Sequence, residues 1–377
     1  MKMISEGIDK EYAEKILFDL IRLPSFSEKQ FGPITERISS ELSKIGFSVE
    51  YDRESACIIG RKKILGASKT ILLSAHYDTV IPVEGWTKDP LSPRAIDGKV
   101  YGLGASDCKG GIASILAAAK VSKPKNNITI LISGHEDVKK EIDGKLRSGI
   151  DIYLQNHKLK ANFGIVTEAT AKEGAIGILT GHFGKVAVKI SAKGVAAHGA
   201  HPEQGVNAIE KLIEAYLNIK KELQLEIFTF NGKEYRDTFN LGIIRGGEAI
   251  NITPSNCTAE FEHRFHPKKN LEDVKERIKQ ICNRSRVNTN ILFEFPPFIA
   301  ECPNNFKEAC ARIIGYLPET RITRGGTDAN FLNAHGIQTI VIGPGETKTI
   351  HAPNEYVEID RIIECAKILS HTIQRGI

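Results

Sequence analysis

The chain has 377 residues, 41% of them hydrophobic and 26% charged, with a formal net charge of +5. That is long for a single core, ample for two domains and ordinary for a globular protein. The charge excess is small and Lys and Arg are spread without aromatic interleaving, which excludes a dedicated nucleic-acid surface and leaves room for an anionic small substrate.

The N-terminal stretch MKMISEGIDKEYAEKILFDL reads as an amphipathic helix with acidic residues, not as an apolar signal core. Apolar residues at three- and four-residue spacing predict helices over Glu11–Ile21 and Pro33–Ile45. Thr70–Ala75 (TILLSA) is a short apolar run that ends at His76 and fits a buried strand. Gly110–Lys120 is Ala-rich and helical, and Asn127–Ser133 and Phe163–Thr167 are further buried strands. Helices between such strands predict an α/β layer around a mostly parallel sheet, whose sites form where strands end and loops begin.

The texture changes near Thr180. Lys185–Ser191 (KVAVKIS) alternates apolar and polar residues, as a half-exposed antiparallel strand does. A helix over Gly205–Leu223, strands over Phe239–Ile244 and Thr258–Phe265, a helix over Leu271–Cys282 and a strand over Ile291–Phe295 follow. This order predicts an inserted α+β domain, a four-stranded sheet with two helices, of roughly 110 residues. Thr339–Gly343 is again a buried strand and Ile359–Ile373 a closing helix. The expected division is therefore a catalytic domain over residues 1–179, an insert over 180–294 and the rest of the catalytic domain over 295–377. No apolar run reaches membrane-spanning length. The seven cysteines are odd in number and contain no C-x-x-C, which points to free buried thiols in a cytoplasmic protein.

Metal-ligand residue types stand at the predicted strand ends: His76 and Asp78, Asp107, Glu136 and Asp137, Glu168, and the late His351. In an extended segment residues i and i+2 point the same way, so His76 and Asp78 can face one ion. Alone, such a pair is more often simply hydrogen-bonded. Asp107 lies in YGLGASDCKGG, where glycines allow a sharp turn. Gly102 and Gly104 begin a dinucleotide-like pattern, but Asp107 holds the third glycine position and would repel a pyrophosphate. In isolation Asp107 fits equally a cap of the helix that begins near Gly110. Glu136 and Asp137 repel each other unless a cation or solvent compensates, and one of them can bind metal while the other takes a proton from an activated water. Seven such residues at strand tips carry more weight together than any one of them.

The motifs SAHYDTV, GLGASDCKGG, SGHEDV, VTEAT, GVAAHGAHPEQGVNAI, NITPS, EHR, RGGTDA and IHAPNEYV, taken in order, resemble the zinc-dependent aminoacylase and carboxypeptidase family. That family includes acetylornithine deacetylase, succinyl-diaminopimelate desuccinylase, aminoacylase-1 and glutamate carboxypeptidase. The resemblance implies two Zn2+ per subunit, with Co2+ or Mn2+ as substitutes. It implies that Asp107 bridges the ions, that His76 and Glu168 complete one site, and that Asp137 and His351 complete the other. Glu136 is then the general base, and Asp78 the carboxylate that orients His76. His198 resembles a histidine that polarises the scissile carbonyl, often in the partner subunit's cleft. Asn251 and Arg264 resemble substrate-binding residues, Arg264 as a carboxylate fork, and Gly325, Gly326 and Thr327 resemble the loop at the substrate's carboxylate end. The insert is then a lid and the seam of a homodimer.

Three departures stand out. His135-Glu136-Asp137 replaces the family's usual Asp-Glu-Glu, so the second metal ligand is one methylene shorter. Ala169 follows Glu168 where proline is common, and Cys108 follows Asp107 where methionine is frequent. Cys108 is either a soft extra ligand, which would make the enzyme sensitive to thiol reagents, or a buried bystander. The expected reaction is hydrolysis of the amide of an N-acyl amino acid. The alternatives are a carboxypeptidase or dipeptidase acting on a short peptide, and, more remotely, a non-catalytic metal or amino-acid binder. RGGTDA leans toward the peptidase or desuccinylase side. No partner in nucleic acid or membrane is expected.

Overall fold

The computed structural model describes residues 7–223 and 225–376. Its first helix is Lys10–Arg22, started by the Asp9 carboxylate, which accepts the Tyr12 backbone N–H. The expectation of helix over residues 1–6 lies outside the described residues.

Among the described residues nine strands form the central sheet. Its middle is four parallel strands, in the spatial order Asn127–Ser133, Thr70–His76, Phe163–Val166 and Thr339–Val341. Nearly every residue of these strands is buried. Successive side chains point to opposite faces, so burial throughout means that both faces are covered, and this is why the runs read as continuously apolar. The flanks turn antiparallel, with Cys57–Lys62 and Ser48–Asp52 on one side and Ile178–His182 and Phe298–Ile299 on the other. Thr320–Thr323 lies parallel to Ile178–His182. Helices Lys10–Arg22, Gly110–Val121 and Ile359–Arg375 pack on one another as a group, and Gly149–Asn156 packs on Asp328–Ala334.

A second sheet is wholly antiparallel, in the order Thr238–Gly246, Asn256–Phe265, Gly184–Lys193 and Asn288–Phe295. Gly184–Lys193 alternates buried and half-buried residues along its length, as its KVAVKIS pattern predicts. Helices Ala208–Glu222 and Leu271–Arg284 begin at Asn207 and Asn270, whose side chains accept backbone N–H bonds from the first helical turn. They close a separate apolar core with Val186, Val188, Ile190 and Phe261. The chain thus has the expected mostly parallel core and the expected four-stranded α+β insert.

The structure differs from the sequence reading in detail. Ile178–His182 belongs to the central sheet, so the change of texture near Thr180 falls within a central strand. The hairpin Ser48–Asp52/Cys57–Lys62 has a largely solvent-facing first strand, which hides it from an apolar-run criterion. Among the described residues no helix is long and apolar enough to cross a membrane. All seven cysteines are free and buried.

Candidate metal centre and cleft

Because the middle strands are parallel, their C-terminal ends meet at one edge. His76 ends one strand, and Glu136, Asp137, Glu168 and the loop bearing His351 follow the other three. Asp107 arrives from a different direction, on the segment Ala105–Lys109 ahead of helix Gly110–Val121. Gly104 turns that segment with φ 77°, a left-handed conformation glycine adopts without strain. A Cβ on Gly111 would lie 2.0 Å from the Thr167 carbonyl oxygen, so only glycine lets this helix start against the Glu168 strand end. Two site-bearing positions also have positive φ without being glycine: His135, which turns the chain just before Glu136, and His351.

The geometry is shared around Asp107. His76 Nε2 lies 3.2 Å from Asp107 Oδ1 and 3.2 Å from Glu168 Oε1. His351 Nε2 lies 3.2 Å from Asp107 Oδ2 and 3.3 Å from Asp137 Oδ1. Asp137, despite its shorter side chain, still reaches His351, and its Oδ2 is buried without a partner. Burial opposes the charge on Asp107, yet His351 and His76 hold its carboxyl well below the ordinary value. Asp137 is pushed up to about 6, first by burial and then by the charges of Asp107 and Glu136. Burial, with the Asp107 charge behind it, also raises Glu168 far above the carboxylate range. Contact between the His351 ring and Asp107 and Asp137 raises that imidazole to about 10. Three crowded carboxylates, of which Asp137 and Glu168 ionise only at a cost, form with the two imidazoles an oxygen-and-nitrogen donor set that a divalent cation would satisfy. The residues present therefore fit a metal.

Asp78 does not face this donor set. Its Oδ1 accepts the Glu136 N–H at 3.1 Å, and its Oδ2 accepts those of Asp137 and Val138 at 2.8 and 2.7 Å. The His76 Nδ1 proton goes mainly to the Asp78 backbone carbonyl at 2.9 Å, with the Asp78 carboxylate 3.6 Å away. Asp78 thus anchors the loop that carries Glu136 and Asp137, and orients His76 chiefly through its main chain. Cys108 Sγ accepts the His76 N–H at 3.2 Å and sits 3.3 Å from the His76 carbonyl. Burial pushes its thiol far up.

Sequence reasoning passed over four neighbours. Glu355 accepts the N–H groups of Gly104, Ser106 and Asp107 at 2.8–2.9 Å and so shapes the Asp107 turn. Burial first, then the Asp107 charge, raises it to about 8. It stands in the IHAPNEYV motif, which already held His351. His182 is buried beside the cleft, with Nδ1 bonded to Asn330 Oδ1 at 2.9 Å, and burial lowers it to about 4. Lys139 and Lys185 line the cleft, and only their spacing from Glu136 and along the alternating strand marks them in sequence.

The cleft above the cluster has a volume of about 860 Å³ and lies between the two sheets. Glu136, Arg264, Gly325, Gly326 and Thr327 line it. His198 and Asn251 do not. They are exposed on neighbouring loops of the insert, where the Gly199 N–H donates to the Asn251 carbonyl at 2.7 Å.

A mostly parallel α/β sheet with imidazole and carboxylate groups able to hold a metal gathered at one end of its strands, opening into a substrate-sized cleft, is the arrangement of a hydrolytic enzyme of the metal-dependent kind. Comparison with known proteins agrees. Residues 72–375 match the model of peptidase family M20/M25/M40. The chain is 26% identical to a succinyl-diaminopimelate desuccinylase of Nitratiruptor sp. over 325 residues, 83% of this chain and 86% of that protein. It is 31% identical to an acetylornithine deacetylase of Buchnera aphidicola subsp. Schizaphis graminum over 323 residues, 81% and 80% of the two chains. Its fold is similar to that of an M20 family metallo-carboxypeptidase from Sulfolobus solfataricus, with a TM-score of 0.77 at 19% identity over 96% of this chain and 98% of that one. The protein belongs to peptidase family M20/M25/M40.

Proposed function

We propose that the protein hydrolyses the amide bond of an N-acyl amino acid, as a deacylase of the succinyl-diaminopimelate desuccinylase or acetylornithine deacetylase kind, using two zinc ions per subunit. The observation that supports this best is Asp107, whose two oxygens face two different imidazoles, each with a further carboxylate beside it. His76, Asp107 and Glu168 would hold one ion, and His351, Asp107 and Asp137 the other, with Co2+ or Mn2+ as substitutes. When bound, the ions supply Lewis acidity that polarises the scissile carbonyl and acidifies water. The Glu136 carboxylate takes a proton from the attacking water and returns it to the leaving nitrogen. Asp78 holds the Glu136 backbone so that this carboxylate stays aimed.

Residues 180–294 act in this reading as lid and dimer seam. His198 and Asn251 lie outside their own cleft, and exposed Ile243, Ile244, Ile250 and Ile252 accompany them on the insert. They then serve the partner subunit's cleft across a homodimer. His198 Nδ1 accepts the Ala200 N–H at 3.0 Å, so the neutral ring carries its proton on Nε2, ready to donate to a carbonyl oxygen. Gly326 and Thr327 contact the substrate, and Arg264 stands in the same cleft wall. Seven free buried thiols accord with a cytoplasmic location.

The second reading, a carboxypeptidase or dipeptidase, draws on the likeness to the Sulfolobus carboxypeptidase fold. A non-catalytic binder is disfavoured because it has no use for Glu136. The test is turnover of N-acetyl amino acids, N-succinyl amino acids and dipeptides by zinc-loaded protein, with and without chelator. Chelator-sensitive cleavage of an N-acyl class supports the proposal, cleavage of dipeptides alone moves it to the second reading, and cleavage of none removes it. Mixing inactive His198→Ala and Glu136→Gln subunits should restore part of the activity, since a mixed dimer holds one intact cleft; no recovery removes the shared-site reading.

A further inference from the structure

The resemblance gives the substrate's carboxylate to Arg264, but the Arg264 guanidinium is already engaged. Its Nε and Nη2 donate to Glu262 at 2.8 and 3.4 Å, and its Nη1 donates to the Arg324 carbonyl at 2.8 Å. Two ammonium groups stand beside it. Lys185 is paired directly across the strands with Arg264 on one side and with Phe295 on the other. Lys139 comes from the loop of the metal cluster, with Nζ 3.7 Å from Glu136 Oε1. Both reach the same two aromatic rings. Lys139 Nζ is 5.0 and 5.3 Å from the ring centres of Phe293 and Phe295, and Lys185 Nζ is 5.3 and 6.0 Å from them. All five residues, Lys139, Lys185, Arg264, Phe293 and Phe295, line the cleft.

The charges of this niche do not balance. Lys139, Lys185 and Arg264 supply three positive charges. Among the described residues two carboxylates lie within ion-pair distance of them: Glu262, 3.4 Å from Lys185 and shared with Arg264, and Glu136 beside Lys139. Burial depresses the Lys185 ammonium, and Lys139 adds to that depression. Like charges crowded against aromatic walls are costly unless an anion joins them. The aromatic faces hold both ammonium groups in place, and they face the cleft next to the reacting centre.

We propose that Lys139 and Lys185, and not the Arg264 fork, grip a carboxylate of the substrate in a niche walled by Phe293 and Phe295. This rests on the reading of the cleft as an amide-hydrolase site. The carboxylate is either the α-carboxylate of the amino acid or the far carboxylate of a dicarboxylic acyl group, and the two are separable by experiment. kcat/KM is compared for an N-acetyl amino acid against its α-carboxamide, and for an N-succinyl amino acid against its succinamyl counterpart. One pair should show a strong preference for the carboxylate, and that pair identifies which carboxylate is held. Lys139→Met and Lys185→Met should each cut this preference about ten-fold or more, through KM, as expected for a lost charged hydrogen bond. Lys185→Arg should keep most of it. Arg264→Lys keeps the charge on Glu262 but lacks the fork, and should leave the preference in place. The proposal is overturned if the lysine variants slow carboxylate and carboxamide substrates equally, or if Arg264→Lys alone abolishes the preference. If no compound is cleaved, the proposed reaction fails, while calorimetric affinities for the same pairs and variants still decide this inference by the same ratios.

Discussion

Asp78→Asn is the substitution that separates an anchoring carboxylate from a metal ligand. The buried Asp78 carboxylate accepts three backbone N–H bonds from Glu136, Asp137 and Val138. Asparagine has the same shape but one acceptor oxygen. Keeping that oxygen on the two shorter bonds, to Asp137 and Val138, turns the amide NH2 toward the Glu136 N–H. One bond to a buried charge is then replaced by two facing donors, a loss of about 2–3 kcal/mol. The backbone of Glu136 is the group released, so the base loses its aim while His76, Asp107, Glu168 and His351 keep their places. The expected result is a metal affinity weaker by about 10- to 100-fold, the usual effect of removing a group that positions ligands, and a larger fall in kcat than in KM. Chelator competition and steady-state kinetics measure the two. There is a pH signature as well. Burial opposes the Asp78 charge, but His76 and the loop N–H groups hold its carboxyl below the ordinary value. A depressed acid contributes stability above the unfolded value near 4 and loses it as pH falls further. The variant should lose this acid-side slope and be less stable than the parent at pH 7. Metal affinity and turnover within two-fold of the parent would refute the anchoring role.

Glu136→Gln should keep its metal while turnover falls by about 10²- to 10⁴-fold, the range for a lost general base; metal analysis beside kinetics checks it, and retained activity would reassign the base. Asp328, buried with its Oδ2 hydrogen-bonded to Ser133 Oγ, is raised from 3.8 to about 7 by burial and then by the Glu136 charge. A raised acid costs nothing below its unfolded value and destabilises progressively as pH climbs to its folded value, here by up to about 4 kcal/mol between pH 4 and 7. Asp328→Asn should flatten that part of the stability–pH curve in denaturant titrations of metal-free protein, and an unchanged slope would exclude the assignment. Cys108 is buried, bonded to the His76 main chain, and has its thiol pushed far up. The native enzyme should therefore resist alkylating reagents until it unfolds, and rapid inactivation that Cys108→Ser abolishes would contradict this.

The gathering of ligand-type residues is legible in sequence because parallel strands turn order along the chain into proximity. A ligand type placed just after each of several buried apolar runs must arrive at one sheet edge, so His76, Glu136, Asp137 and Glu168 could be grouped without knowing any distance. The insert was legible for the opposite reason. Its strands alternate, and KVAVKIS carries the period of two on its surface. The unread parts lack either signal. Asp328–Ala334 spans only 7 residues, too short for a helical repeat to declare itself, and Ser48–Asp52 is an edge strand with exposed side chains.

The roles of single polar residues divide along the same line. A residue whose partners are side chains in matched motifs, such as Asp107 beside His76 and His351, carries a signal in the sequence. A residue whose partner is backbone cannot, because the backbone carries no sequence signature. Asp78 and Glu355 are of this second kind. Each is a buried carboxylate that collects three main-chain N–H groups, Asp78 under the Glu136 loop and Glu355 under the Asp107 turn. Together they fix from behind the two segments that carry Glu136 and Asp107, the proposed base and shared ligand. Lys139 and Lys185 fall between the cases. The two meet only because Lys139 follows Glu136 on a central-sheet loop while Lys185 opens the insert sheet, and the rings of Phe293 and Phe295 stand between those layers. The proposed carboxylate niche therefore draws on both sheets, and a change in the angle between them would alter specificity while leaving in place the proposed ligands His76, Asp137 and Glu168, which end or follow central strands, and Asp107 on its own turn.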